Sequence, residues 1–264
     1  MRGLELARTL TGAPLDQISG TLLVAGDPGG SFQLRGGAIV EVVSPGAPGA
    51  ETLLLRSGRV SEADWTSVTR SCPPERPVGA ELVARELVGA AELQLICVAA
   101  ALDGALAVGM GRIDGFSLER DTHDCRLAAL RAIEPDWLVG EVERRIRALV
   151  SRRRPFSPFR TRLGRTEAGT ASLDTTAGER REILLRVNGR RSARDIAFLL
   201  GRSLYAVAVE VSRLLGDGLV EAVVPARFKE SCVRPATAAG DLPRRLPGAS
   251  GITDVLPLRP AAGL

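Results

Sequence analysis

The sequence predicts an α+β protein: an N-terminal β-meander joined to a helical domain, then a C-terminal helix-turn-helix with a trailing strand. Three observations predict it. Ser19–Val43 alternates short apolar stretches with glycine-dense turns. A helical pattern then recurs at a constant offset of 28 residues, since Leu54 and Leu82, like Val60 and Val88, are that far apart. Finally, residues 173–224 carry three helical stripes separated by glycine turns, then an apolar strand.

The bulk numbers bound the class. The 264 residues suit one or two domains. They are 45% hydrophobic but only 3% aromatic, so the cores must be built from Leu, Val and Ala. The net charge of +4 permits an acidic partner without demanding one. Lys229 is the only lysine; every other basic side chain is arginine except His123. Cys72, Cys97, Cys125 and Cys232 are widely spaced with no C-x-x-C pair, which fits reduced thiols in a cytoplasmic protein. Met1–Gln17 lacks the apolar centre of a signal peptide. The longest apolar run, Leu93–Met110, is interrupted by Gln94, Asp103 and glycines, and it reads as a buried helix and its following turn, not a membrane span.

In order along the chain, Thr21–Val24 is the first strand, and the turn residues Gly26–Gly30 follow it. Phe32 and Leu34, then Ile39, Val40 and Val42, continue the strands across Gly36-Gly37. In the repeat, Leu54-Leu55-x-x-Gly58-x-Val60-Ser61-x-x-Asp64-Trp65 parallels Leu82-Val83-x-x-Glu86-Leu87-Val88-Gly89-x-x-Glu92-Leu93. Each copy reads as a short helix, a turn and a capped second helix, with Ser61 the N-cap of the first copy. Cys72-Pro73-Pro74 breaks the chain between the copies. Ile113, Phe116 and Leu118 mark a further strand. Trp137–Val150 is an amphipathic helix with Leu138, Val142, Ile146 and Leu149-Val150 on its apolar side.

The meander with its Gly-Gly turn, the tandem Leu-Val-x-x-Gly-x-Val-Ser helix pairs, the Gly-x-Phe-x-Leu strand and the closing helix Trp137–Ile146 together resemble the PATAN-type domain of bacterial signalling proteins. The resemblance covers residues 4–150 and implies a non-catalytic regulatory domain that works with signalling partners. It supplies no catalytic residue. The expected boundaries are 1–151 for this domain, 152–172 for a linker rich in Arg and Pro, 173–228 for the helix-turn-helix and 229–264 for a disordered tail rich in Pro, Gly and Ala.

In the C-terminal third, Thr176-Ala-Gly-Glu179 fits a capping box ahead of Ile183, Leu184 and Val187. Asn188-Gly189 ends that helix, and Ser192-Ala-Arg-Asp195 opens a second carrying Ile196, Leu199 and Leu200. Gly201-Arg202 is a tight turn, and Ser203 caps a third helix whose stripe is Leu204, Val207, Val211, Leu214 and Leu215. Gly218 stops it, and Leu219–Val224 is a strand. The segment Arg-Ser-Ala-Arg-Asp-Ile-Ala-x-Leu-Leu-Gly resembles the winged helices of small actinobacterial regulators. No second wing strand is evident after Pro225.

Two functions stay open. One is a transcriptional regulator that binds DNA, with dimerisation supplying a second half-site. Its contacts would be Arg190, Arg191, Arg194, Arg202, Ser203, Tyr205 and Arg213, with Arg152, Arg153 and Arg154 of the linker on phosphates. The other is an adaptor whose winged helix binds a signalling protein. The third helix is expected to expose Tyr205, Ala206, Val209, Glu210 and Arg213, a poor base-reading set. Residues 173–228 hold nine arginines against seven acids, which is weakly basic for a DNA reader. An enzyme is not expected. His123 is the only histidine and stands in the polar run His123-Asp124-Cys125 without a ligand cluster, so neither a catalytic triad nor a zinc site is predicted. Lys229 follows Phe228, not glycine, so no phosphate-binding loop is present, and no cofactor is expected. Asp114, Glu119 and Asp121 read as solvated loop charges.

Overall fold

A two-residue turn at Gly36-Gly37 sets the register of the sheet. Both glycines have positive φ, 56° and 83°, the loop conformation whose twist matches that of the flanking strands. The turn joins β2 (Gly30–Arg35) to β3 (Ala38–Val43). β1 (Gly20–Asp27) pairs with β2 on one side and with β4 (Arg112–Glu119) on the other. The order is β3-β2-β1-β4, antiparallel throughout, so the molecule is α+β with an N-terminal antiparallel sheet. The computed structural model describes residues 17–73, 76–120, 127–152 and 155–223. The first sixteen residues, Asp121 with the loop of His123, Asp124 and Cys125, the linker arginines Arg153 and Arg154, and the expected tail with Lys229 and Cys232 lie outside them.

The repeat is structural as well as textual. α1 (Ala50–Arg56) and α3 (Val78–Ala84) start 28 residues apart, as do α2 (Glu62–Ser71) and α4 (Ala90–Met110). Each pair is joined by the same turn. The Arg59 N–H donates to the Leu54 carbonyl at 3.1 Å, and the Leu87 N–H to that of Leu82 at 3.0 Å. The residue at the bend has positive φ in both copies, 75° at Gly58 and 56° at Glu86. The Ser61 hydroxyl caps α2 by accepting from the Asp64 N–H at 3.0 Å. A left-handed backbone costs a residue with a Cβ roughly 1–2 kcal/mol, and only part of that is offset by the looser unfolded chain that glycine brings. The exposed Glu86 is therefore a site for improvement. Glu86→Gly is expected to raise stability by about 0.5 kcal/mol, read as a higher urea midpoint at unchanged slope.

α4 is the spine of the fold. By length and composition its 21 residues could cross a membrane, yet nearly all its C-terminal half is buried in the protein. A helix apolar on all sides belongs in the interior, and here the small residues Ala101, Gly104 and Ala105 let neighbours close in around it. Gly104 lies so near β3 that a Cβ there would stand 3.1 Å from the Val42 carbonyl oxygen. Leu22, Val24, Phe32 and Leu34 of the sheet pack on Leu102 and Val108 of α4 and on Leu138 and Val142 of α5 (Pro135–Val150). The repeat helices enclose a second core around Leu54, Trp65, Leu82 and Leu93. Val150, expected on the apolar side of α5, is exposed, because it falls on the last turn beyond that core.

A third core, built on Ile183, Ile196, Val207 and Leu214, unites α7 (Gly178–Arg186), α8 (Ala193–Leu200) and α9 (Leu204–Gly216). It also takes in Ala47 and Ala107 from the N-terminal half, so the two halves share buried surface. Residues 152–172, expected as a linker, carry β5 (Arg162–Arg165) and α6 (Glu167–Ala171). Phe156 and Phe159 are anchored on the same core. β6 (Val220–Val223) pairs antiparallel with β5. The other side of β5 is taken too: the Leu163 N–H donates to the Arg191 carbonyl at 3.0 Å, and the Gly189 N–H to that of Leu163 at 2.7 Å. The strand opposite β6 thus comes from upstream of the helices. The expected capping box at Thr176 does not form. A 3-10 turn over Ser172–Asp174 follows α6, so the Thr176 hydroxyl closes it by donating to the Ser172 carbonyl at 2.7 Å, and α7 starts at Gly178 with Ala177 at its cap.

Candidate functional site

The α8–α9 turn organises the site. Ser192 and Asp195 cap α8 reciprocally: the Asp195 N–H donates to the Ser192 hydroxyl at 3.3 Å, and the Ser192 N–H donates back to the Asp195 carboxylate at 2.9 Å. Burial pushes the Asp195 carboxyl up, but the Ser192 N–H and hydroxyl together with Arg194 hold it below the usual carboxylate range. Gly201 ends α8 in the left-handed conformation. It does so against the C-terminus of α1, where a Cβ would stand 2.5 Å from the Cβ of Arg56. The Ser203 hydroxyl then caps α9 by accepting from the Ala206 N–H at 3.4 Å.

The cations singled out from the sequence are dispersed over this unit. Arg190 follows the Gly189 bend, its N–H bound to the Asn188 side chain at 3.1 Å and its own side chain exposed. Arg191 donates to the Arg186 carbonyl at 3.0 Å, and Arg194 faces Asp195 at 3.4 Å. Arg202 is held by Glu182 at 2.7 Å and Glu179 at 3.5 Å. Arg213 pairs with Glu210 at 3.2 Å, about 16 Å further along the helix axis than Arg202. Arg152 turns back to the Ala148 carbonyl at 3.2 Å on α5. Acids compensate Arg194, Arg202 and Arg213, whereas Arg152, Arg190 and Arg191 have no acidic partner among the described residues and hold what positive charge is left for a phosphate backbone.

The third helix differs most from expectation. Of the side chains expected outward, Tyr205, Val209 and Glu210 are half-buried, and only Ala206 and Arg213 are exposed. Tyr205 and Val209 flank the fully buried Ala208, which packs on Leu106 of α4 and Leu149 of α5. The physical reason is Asp103. This carboxylate, 0% exposed on α4, accepts from the N–H of Leu204 at 2.6 Å and of Tyr205 at 3.2 Å. It therefore caps α9 from the other half of the protein, where the positive end of the helix dipole favours an anion. Arg145 of α5 lies 3.6 Å from Asp103 and 2.9 Å from Glu141, with its guanidinium 4.8 Å from the centre of the Tyr205 ring. Burial pushes the Asp103 carboxyl up; the Ser203 hydroxyl, the Tyr205 N–H, the Arg145 charge and the Leu204 N–H pull it back without cancelling that rise.

A family comparison finds no matching model, and no curated protein or solved structure matches the chain.

Beside the capped helix end, a cleft of about 1040 Å³ runs between α1 and α4 on one side and α7, α8 and α9 on the other. Its lining includes Leu95, Leu185 and Leu199, which are 70%, 46% and 48% exposed. Around it, Arg59 pairs with Glu92 and Arg202 with Glu179 and Glu182, while Arg56 and Arg186 have no ion pair among the described residues. The cleft lining holds neither cysteine nor histidine. Cys97 is buried beside Leu127, and burial with the charge of Glu41 pushes its thiol up to about 12, far from a nucleophilic thiolate. Among the described residues no three metal-binding side chains converge.

Sequence reasoning missed Asp103, Arg145 and the cleft leucines. A signal existed for the first: Asp103 is the lone acid in the apolar run 93–110, and a charge inside a buried helix calls for a partner.

Proposed function

We propose that the protein is a non-catalytic regulatory protein of a bacterial signalling system, working through protein contacts. In this reading its C-terminal unit is a winged helix-turn-helix that serves as a platform for a partner. The winged assignment rests on the three helices, the left-handed Gly201 turn and the strand β6 after the third helix, with β5 in place of a downstream wing strand. The single observation carrying the functional reading is that the outer face of α9 is spent on the protein's own α4 and α5. The leucine cleft stays open beside it. Its fitting occupant is an amphipathic helix of a partner protein, apolar side on Leu95, Leu185 and Leu199, acidic side toward Arg56 and Arg186. The resemblance of residues 4–150 to PATAN-type domains agrees with such a role.

DNA binding is the second reading, favoured by the exposed Arg190 at the α7–α8 bend. It would require α9 to leave Asp103. A paired experiment separates the two. Full-length protein is titrated into a labelled mixed-sequence duplex at low salt, and the host lysate is passed over immobilised wild type and Leu199→Arg. The expected result is no saturable DNA binding, together with a protein that the wild type retains, the variant loses, and the purified wild type binds again. Saturable, steeply salt-dependent DNA binding that Leu199→Arg leaves intact would overturn the proposal.

A further inference from the structure

The two edges of the N-terminal sheet are treated differently. At the β3 edge, Ile39 and Ile133 exchange both backbone hydrogen bonds at 2.9 and 2.7 Å, and the Ala129 N–H donates to the Val40 carbonyl at 2.8 Å. That edge is closed. At the other edge, β4 is hydrogen-bonded along β1 alone among the described residues. It is eight residues long and contains neither lysine nor proline, two of the devices that blunt an open strand; a bulge at Asp114 is the device it does carry. Its apolar side chains are in view as well, with Phe116 and Leu118 each 37% exposed.

We propose that β4 is the pairing edge of a symmetric dimer, its occupant a second copy of β4 running antiparallel. The argument is self-complementarity. Relative to β1, Asp114 is the extra residue at a bulge: Ala25 is opposite Gly115 and Gly26 opposite Ile113. Counting the other seven positions by their β1 partners, a two-fold axis through Phe116 gives one register that keeps every pair on a common face. Phe116 then lies against Phe116 of the partner subunit. Ile113 lies against the partner subunit's Leu118, on the face that β1 shares with Leu22 and Val24. Gly115 meets the partner's Ser117, and Arg112 meets the partner's Glu119 on the opposite face. The symmetry repeats each of these contacts except the one between the two Phe116 side chains on the axis, so the interface carries two opposite-charge pairs and an unbroken apolar row. A shift of one residue would set Arg112 against an apolar side chain and turn the second sheet over. The product is a continuous eight-stranded sheet with no open β4 edge.

Sedimentation velocity on the full chain, from nanomolar to tens of micromolar, reads this out. Wild type is expected to pass from a species of 27.9 kDa to one of twice that mass. Phe116→Glu, which sets like charges on the axis, is expected to weaken the dimer at least ten-fold. Arg112→Glu and Glu119→Arg should each weaken it, whereas the double exchange Arg112→Glu/Glu119→Arg should restore it. Circular dichroism confirms that each variant is folded, and the exchange pair provides a second route should Phe116→Glu not fold. A wild type that stays monomeric throughout overturns the proposal. So does a dimer indifferent to Phe116→Glu, or single charge variants that the double exchange fails to rescue.

Discussion

Asp103→Ala is expected to lower the free energy of unfolding by about 3 kcal/mol. The substitution strips the Leu204 and Tyr205 N–H groups of their acceptor inside a site that water does not reach. It also leaves Arg145 with Glu141 alone. Asp103→Asn should lose less, since an amide oxygen still accepts one of the two N–H groups. The sign with pH follows from the raised carboxyl. The folded protein holds this proton more tightly than the unfolded chain, so the group's contribution is greatest in acid. It declines as pH rises from the usual carboxylate range through the folded-state value. Urea titrations of wild type and Asp103→Asn across that range should show the wild-type advantage shrinking with rising pH. A constant difference would mean that Asp103 does not titrate between the two states.

Gly201→Ala is expected to cost a further about 3 kcal/mol, from two separable causes. One is the left-handed backbone, φ 59°, worth about 1 kcal/mol against a residue with a Cβ. The other is space. The new Cβ would meet the Arg56 Cβ at 2.5 Å and the Ser57 nitrogen at 2.8 Å, and a backbone neighbour cannot swing aside. Gly189→Ala is the control. It has the same sign of φ, 82°, but nothing within 4 Å of the added atom, so it should lose only the backbone part. Equal losses at the two sites, measured by thermal or urea unfolding, would remove the argument that α1 and the α8–α9 turn are locked together there.

What could be read from the chain beforehand divides along physical lines. Short-range signals were legible: the Gly36-Gly37 hairpin, the 28-residue repeat, the reciprocal cap at Ser192 and Asp195, and the stripe Leu204–Leu215 all depend on neighbours within a few residues. The pairing of β5 with β6 was not legible, because Leu163 and Ala222 are far apart in the chain and β5 is only four residues long. Nor was the burial of Tyr205 and Val209. Helical periodicity assigns one buried stripe per helix, and α9 has two, one for its own three-helix core and one for α4 and α5. The weak base-reading set noticed on that helix was the trace of this second stripe. Tyr205 and Val209 pack with the buried Ala208 on Leu106 and Leu149, while Ala206 stays exposed.

The origin of β5 upstream of its helices decides where this chain can be cut. A fragment trimmed to the three helices and β6 would leave behind Leu163, which is fully buried in their core. It would expose both the β6 edge and the Gly189–Arg191 backbone that β5 occupies between them. Phe156, Phe159 and the Pro158 carbonyl, which accepts from the Arg194 N–H at 3.0 Å, belong to the same clasp. Any piece that keeps these contacts must therefore reach back past Phe156, inside what the sequence presents as a spacer, and the packing of α9 on α4 and α5 ties it to the N-terminal half as well.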